Sequence, residues 1–144
     1  MRTICYRAIS MCRGERWVYG DLRHYNRNPH TEKWTLHAPD TGIETDIDET
    51  TIGQYTGLHD TDGREIYEGD IINTSFSDGS QGLSLIGWND KTGCFGCMDK
   101  YAYMSIAEGY DFAEFKGYVL VAFLERAESI SVVGNVHDNP ELLT

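Results

Sequence analysis

The sequence contains no long apolar run. None of its 144 residues belongs to a stretch that approaches the roughly 18 consecutive apolar residues a membrane helix needs. The N-terminal segment MRTICYRAIS also lacks the apolar core and small-residue cleavage site of a secretory signal. We therefore expect a cytoplasmic protein without membrane contacts, in which the four cysteines are reduced thiols.

Basic residues are also scarce. Twelve Lys and Arg stand against 23 Asp and Glu, a net charge of -11. Such a chain repels phosphate backbones on average, which disfavours direct nucleic-acid binding. The exception would be a basic stripe in which Arg23, Arg27 and Lys33 cluster with Tyr25 and Trp34, but these five residues also fit an ordinary solvated strand pair. An acidic surface that imitates nucleic acid stays open as an alternative.

Sequence motifs of common enzymes are missing. The five histidines form neither H-x-x-x-H nor H-E-x-x-H, and no nucleophile elbow or glycine-rich phosphate loop occurs. The sequence therefore indicates no catalytic residue and no cofactor. A small metal-dependent hydrolase built on acidic residues and histidines remains the alternative to a non-catalytic protein.

Proline is rare, whereas glycine and aromatic residues are abundant. Three Pro stand against fifteen Gly, with three Trp, nine Tyr and five Phe, and 40% of the chain is hydrophobic. This composition favours many tight turns and β structure over long helices. We predict a mainly β fold with several hairpins and one or two short helices, in a single domain over residues 1–144.

Alternating side chains predict four strands in the first part of the chain. The predicted strands are Thr3–Ile9, Arg16–Tyr25, Glu32–His37 and Ile43–Ile47. Gly20 and Asp21 indicate a bulge or bend within the second strand, and residues 39–42 form a turn of Pro, Asp, Thr and Gly. The acidic residues 46–49 are interpreted as an exposed approach to the next segment.

The segment from Ile52 to Ile71 reads as two strands joined by a turn. Asp62 and Gly63 suit the turn positions that need a positive φ. The run DTDG from Asp60 also resembles the start of a calcium loop. However, the position of the bidentate Glu in such a loop falls on Ile71 here and the flanks look like strands, so we predict a simple turn and no metal site.

The second half of the chain continues the β pattern. We expect a flexible loop over Ser75–Gly82, a hairpin that ends near Trp88 and Phe95, and a final strand over Ser129–Val136. Residues 99–115 have weak helical spacing, and residues 117–124 fit a buried strand or a short helix that continues to residue 128. Asn139 before a proline indicates a capped terminal helical turn.

Cys94 and Cys97 form a C-x-x-C pair. Such a pair can be a redox dithiol or half of a zinc site, but no βαβ context accompanies it. Cys5 and Cys12 could complete four thiolates only if the first strand lies beside this pair. Ordinary small thiols are the simpler interpretation, with zinc as the main alternative.

Several motifs together resemble the YopX family of phage and prophage proteins. They are IGQYTGLHDTDGREIYEGDI in the centre, VVGNV and DNPELL near the end, ICYRA and VYGDL near the start, and IGWND in the middle hairpin. The resemblance implies a mainly β domain with a partly open, SH3-like or irregular barrel, a phage or prophage origin in a bacterial host, and no established activity. It carries over no catalytic residues.

Two functional hypotheses follow. The first is a phage accessory protein that acts as a non-catalytic binding or assembly module, with a protein partner or a second copy of itself. It would bind through an exposed strand edge or a patch around Tyr55 and Tyr67, because rigid aromatic rings suit interfaces. Glu68 and Asp70 complete this candidate binding site, although Asp70 also suits a structural role at the Gly-Asp corner. The second hypothesis is the hydrolase named above.

Overall fold

The fold is described from a computed structural model over residues 1, 3–12, 16–25, 32–99 and 118–144. Its strands are β1 (Tyr6–Ile9), β2 (Trp17–Tyr25), β3 (Lys33–His37), β4 (Glu44–Asp46), β5 (Gly53–His59), β6 (Glu65–Tyr67), β7 (Asp70–Ser75), β8 (Gln81–Asn89), β9 (Cys94–Asp99), β10 (Tyr118–Val119) and β11 (Ser129–Asn135). The helices found in these residues are short: two 3-10 helices (Glu49–Thr51 and Pro140–Leu143) and α1 (Leu120–Leu124).

The predicted fold class is confirmed. The strands are antiparallel and form two sheets, and the named strands of the described residues do not close into a barrel. Within the same residues, no helix is both long enough and apolar enough to cross a membrane.

The chain divides into two compact units, Met1–Gly57 and Leu58–Thr144. Strand β5 begins in the first unit and ends in the second. The division into two units does not test whether residues 1–144 form a single domain, so that expectation stays a prediction.

In the first unit, β2 pairs with a different neighbour along each half. Its residues from Trp17 to Gly20 pair with β1, and those from Asp21 to Tyr25 pair with β3. Gly20 has φ +154°, and a Cβ at this position would overlap the carbonyl oxygen of His37. The predicted irregularity at Gly20 is therefore the point where β2 changes partner, and the close approach of the next strand requires glycine.

The rest of the first sheet follows chain order. Within this unit the strands lie in the order β4-β3-β2-β1-β5. Ala8, Leu36 and Ile47 form the buried core of this unit. Five partly buried side chains pack against this core: Tyr6, Val18, Leu22, Trp34 and Ile52.

In the second unit the last strand returns to an early one. The sheet order is β10-β9-β8-β7-β11, in which β7, β8 and β9 are consecutive hairpin neighbours. Strand β11 pairs with β7, with Val132 opposite Ile72 and Asn135 opposite Asp70. The register shifts between Val132 and Gly134, as expected for a β-bulge.

One buried cluster holds the second unit together. It consists of Ile66, Ile72, Ile86, Phe95, Cys97 and Leu120, with five partly buried apolar side chains packed around it. Burying one isoleucine or leucine side chain contributes about 1.5–3 kcal/mol. The helix α1 belongs to this unit because Leu120, its first residue, is part of the cluster.

Three sequence expectations in this unit need correction or completion. The loop predicted over Ser75–Gly82 is present but shorter, because β7 runs to Ser75 and β8 begins at Gln81. Between them the Phe76 N–H donates to the Ser80 carbonyl at 2.9 Å, which makes a tight turn. Residues 118–124 form a two-residue strand and then α1. The predicted strand is therefore shorter, and the helix ends at Leu124 instead of continuing to residue 128. The weak helix expected over residues 99–115 lies outside the described residues, apart from the end of β9.

The terminal helical turn is confirmed at Pro140–Leu143, but Asn139 does not cap it through its side chain. Its Oδ1 instead accepts from the backbone N–H of Asn135 at 3.4 Å. The Asn135 side chain in turn accepts from the N–H groups of His137 and Asp138 at 3.0 and 2.9 Å. The Val-Gly-Asn and Asp-Asn-Pro motifs therefore stabilise one another at the end of β11.

Candidate functional site

The four predicted binding residues are mostly inside the protein. Tyr55 is 5% exposed, Tyr67 is 3% exposed and Asp70 is 1% exposed, while Glu68 is half-buried. The Tyr67 hydroxyl donates to the Glu65 carboxylate at 2.7 Å. Binding through these four residues stays a prediction, and it would require the two buried rings to become exposed.

The structural role expected of Asp70 is confirmed. Its Oδ2 accepts from the backbone N–H of Tyr67 at 2.7 Å. Gly69, between them in the chain, has φ +85°, donates its N–H to the Ile86 carbonyl at 2.8 Å and accepts from the Val136 N–H at 2.9 Å. Asp70 thus fixes the corner before β7.

The turn at Asp60 has a structural partner in β11. The Asp60 carboxylate accepts from the N–H of Val132 at 3.1 Å, and the Arg64 guanidinium donates to the Val132 carbonyl at 3.1 Å. Thr61 bonds both backbone groups of Ile130, at 2.8 Å through its hydroxyl and at 2.9 Å through its N–H. These groups cover the outer edge of β11, which would otherwise present unpaired backbone.

Asp60 also organises its own turn. Its Oδ1 accepts from the N–H groups of Asp62 and Arg64, each at 2.9 Å. Burial alone would raise the pKa of Asp60, but the backbone donors of Val132, Arg64 and Asp62 outweigh it and lower the pKa below its ordinary value. The carboxylate is therefore engaged by protein donors, in agreement with the predicted turn.

The C-x-x-C pair lies within β9, where the geometry does not suit joint chemistry. Cys94 stands opposite Asn89 and Cys97 opposite Ile86, and residues three apart on a strand point to opposite faces. Burial raises the pKa of Cys97 to about 12, which suppresses the thiolate that redox or zinc chemistry uses. Ordinary thiols remain the better interpretation.

Histidine, cysteine and carboxylate groups do not assemble into a metal cluster among the described residues. No group of three or more lies together in a way that could hold an ion. The four cysteines are free thiols, and Cys12 is exposed.

The first unit contains a cleft of about 620 Å³. Three separate segments line it: residues 9–11 at the end of β1, residues 32–34 at the start of β3, and residues 46–50 after β4. Sites that bind ligands are typically concave spaces of about 300–1,000 Å³. This cleft is therefore the candidate functional site.

Backbone hydrogen bonds fix the walls of this cleft. Ile47 donates its N–H to the Trp34 carbonyl at 3.3 Å, and Ile47 also forms a bridge with Ser10. The Met11 N–H donates to the Asp46 carbonyl and the Asp48 N–H to the Ile9 carbonyl, both at 2.9 Å. Residues 46–48 are thus bonded on both sides, to β3 and to the end of β1.

Apolar side chains line part of the cleft. Ile47 is buried in the core of the first unit, and Met11 is 72% exposed. Trp34 is half-buried, and one face of its ring is covered by His24, with ring centroids 4.0 Å apart and an interplanar angle of 14°. The cleft therefore combines a fixed indole with a freely accessible thioether.

Its rim is acidic. Among the described residues, the lining contains four carboxylates and one ammonium, a net of three negative charges, from Glu32, Asp46, Asp48, Glu49 and Lys33. Lys33 lies 2.7 Å from Asp46, and the hydrogen bond to Asp46 raises the pKa of Lys33. Exposed carboxylates around an apolar surface favour a cationic occupant.

The basic residues noted in the sequence do not form an unopposed stripe. Arg23 pairs with Glu44 at 3.2 Å and Lys33 with Asp46 at 2.7 Å, while Arg27 lies outside the described residues. His24 stands opposite Trp34 and Tyr25 opposite Lys33. The solvated strand pair is therefore confirmed as the arrangement of β2 and β3.

A second, smaller cleft of about 390 Å³ lies elsewhere in the first unit. It is mainly apolar, with exposed Tyr19 and Ile43 among its lining residues. Asp40 is its only charged lining residue, so it gives little indication of an occupant. The acidic cleft is the more informative of the two.

Sequence reasoning missed the acidic cleft as a site. Asp46, Asp48 and Glu49 were noted only as an exposed acidic run, which is the one signal that could have found it. Ile9, Trp34 and Ile47 come together only through strand pairing.

One of the comparisons with known proteins identifies a family. The sequence profile of the family described as YopX protein matches residues 5–144. A solved structure, that of protein EF1440 from Enterococcus faecalis, is similar with a TM-score of 0.51 and 23% sequence identity, covering 100% of each chain. At this identity the likeness concerns the fold. No curated protein matches the sequence.

Proposed function

This chain belongs to the YopX family, and from that premise we propose that it is a cytoplasmic accessory protein of a phage or prophage that acts as a non-catalytic binding module. The partner in this proposal is a protein that docks in the acidic cleft of the first unit. A second copy of the chain is the alternative partner that the sequence left open.

The acidic cleft carries this proposal. It offers a concave space, apolar contact through Trp34 and Met11, and a charged rim. These are the components with which binding sites combine contact area and specificity. The cleft walls are held by backbone hydrogen bonds, so a partner would meet a site that is already formed.

The hydrolase alternative needs a histidine and two carboxylates at one point. Within the described residues, His24 contacts Glu32 at 2.8 Å, but no group of three potential metal ligands forms. No specific arrangement of those residues favours the enzyme over the binding module.

Site-specific photo-crosslinking tests the proposal. A photoreactive benzoylphenylalanine replaces Met11, which is 72% exposed at the cleft, in host cells that carry the phage or prophage. The control carries the same group at Val133, which is 45% exposed in the second unit. We expect one discrete crosslinked protein from position 11 and none of that mass from position 133.

Equal crosslinking from both positions, or none from position 11, would contradict docking in the cleft. A crosslink of position 11 to the chain itself would replace the protein partner by self-association. Mass spectrometry of the crosslinked peptide separates these outcomes.

A further inference from the structure

We propose that the occupant of the acidic cleft is a peptide segment of a partner protein that carries both lysine or arginine residues and apolar residues. This inference rests on the proposed function and adds the chemistry of the partner. The charge of the rim and the apolar lining determine which residues the cleft favours. The backbone hydrogen bonds of its walls exclude strand addition as the mode of binding.

The charge of the rim selects a cation. Asp46 is already paired with Lys33 at 2.7 Å, and Glu32 contacts His24 at 2.8 Å. Asp48 accepts from the N–H and the hydroxyl of Thr50 at 3.0 and 2.7 Å. These three carboxylates are held in place, and with Glu49 they exceed the single ammonium of the described lining by three charges. A basic segment reduces their mutual repulsion, whereas an acidic one increases it.

The apolar part of the lining favours apolar residues in the same segment. Trp34 lines the cleft while His24 covers one face of its ring. The exposed part of this half-buried indole offers apolar contact to a partner's side chains. Met11 adds a flexible apolar contact that adapts to different side chains. A segment that contains both basic and apolar residues satisfies both parts of the lining.

The backbone pairing determines how such a segment is recognised. Residues 46–48 already bond to Trp34 on one side and to Ile9 and Met11 on the other. They therefore offer no open edge for strand addition, the mode in which main-chain bonds supply affinity. Side-chain charge and apolar contact carry the recognition here, so the partner's composition should dominate binding.

Binding of synthetic peptides to the full chain tests the inference. The probe is a short fluorescein-labelled peptide of alternating lysine and valine, and its counterpart has glutamate in place of lysine. We expect the basic peptide to bind at least about tenfold more tightly, with an affinity that falls as salt rises. The indole N–H resonance of Trp34 should shift on titration, and Trp34→Phe identifies that resonance.

A matched pair of charge reversals separates local from general attraction. Glu49→Lys changes the rim, and Glu125→Lys makes the same change in net charge at an exposed residue of the second unit. We expect Glu49→Lys to weaken the basic peptide roughly three- to tenfold, and Glu125→Lys to leave it within about twofold. Equal effects of the two variants, or equal affinity for the acidic peptide, would overturn the inference.

The two proposals fail in different ways. If position 11 crosslinks to a partner in cells but the basic peptide has no preference for the rim, the cleft binds a partner of another chemistry and the inference alone is wrong. If position 11 crosslinks to nothing, the proposed function is wrong, and the inference that rests on it is wrong with it.

Discussion

The carboxylate of Asp60 accepts a hydrogen bond from the backbone N–H of Val132 at 3.1 Å, across 72 residues of sequence. With the N–H groups of Asp62 and Arg64 it receives three backbone donors. A turn that resembles the start of a calcium loop is therefore used to attach β11 to the rest of the second unit.

Replacing Asp60 should destabilise the protein. Asp60→Ala removes the acceptor of three partly buried hydrogen bonds from backbone N–H groups, and we expect a loss of about 1–3 kcal/mol in the free energy of unfolding. Asp60→Asn retains one acceptor oxygen and should lose less. Urea unfolding at neutral pH measures both. An Asp60→Ala variant as stable as the parent would show that water replaces the carboxylate without cost.

The same carboxylate should make stability depend on pH. Because the pKa of Asp60 is lowered in the folded state from its ordinary value of 3.8, its contribution is complete above that value and is lost as pH falls through the folded-state pKa. Urea unfolding from pH 7 down into this acid range should show a smaller fall in stability for Asp60→Asn than for the parent protein. Parallel curves would assign the acid sensitivity to other carboxylates.

Gly134→Ala should disrupt the end of β11. A Cβ at this position would lie 2.5 Å from Oδ1 of Asn139, so we expect a loss of about 1–3 kcal/mol in the free energy of unfolding. Gly82→Ala is the matched control, because nothing lies within 4 Å of its Cβ. Adding Asn139→Ala to Gly134→Ala should recover part of the lost stability, because it removes the side-chain oxygen that the new Cβ would meet. The effects of the two substitutions should therefore not be additive. Additive effects would show that the clash is relieved by a backbone shift.

Gly20→Ala should destabilise the first unit. Its Cβ would overlap the backbone oxygen of His37, and backbone cannot move aside as a flexible side chain can, so we expect a loss of at least about 2 kcal/mol. Asp21→Ala, at the next residue, is the control and should change the free energy of unfolding by less than about 0.5 kcal/mol. Chemical unfolding followed by tryptophan fluorescence measures both. Equal effects would contradict the close approach at Gly20.

Thiol labelling should discriminate between two cysteines. Burial raises the pKa of Cys97 to about 12, so its thiolate is scarce near neutral pH, whereas Cys12 is exposed. We expect iodoacetamide to modify Cys12 in the folded protein, and Cys97 only after unfolding. Peptide mass spectrometry reads the two sites, and Cys12→Ser confirms the first. Rapid modification of folded Cys97 would show that β9 opens readily.

Local features of the fold were predictable from sequence. The turns at Gly42 and Gly63 are set by their own residues, and both glycines have positive φ. The corner at Asp70 was also identified correctly. The burial of Tyr55 and Tyr67 was not, because alternation along a strand does not reveal which of its two faces is covered.

Features that depend on strand pairing were not predictable. Gly20 was recognised as an irregularity, but the close approach of His37 requires the pairing of β2 with β3. The acidic cleft similarly depends on Ile47, which bridges to Ser10 and bonds Trp34. These segments are far apart in the chain, and the alternation of side chains within a strand does not indicate which other strand it pairs with.

The return of β11 to β7 has a kinetic consequence. Strands β7, β8 and β9 are joined by short hairpins, whereas Asn135 meets Asp70 only after the intervening chain has been placed. Pairings between distant residues form slowly because loop closure costs entropy before contacts compensate for it. During refolding, β7 therefore presents an unpaired edge until β11 arrives, and such an edge can pair with another chain and start aggregation.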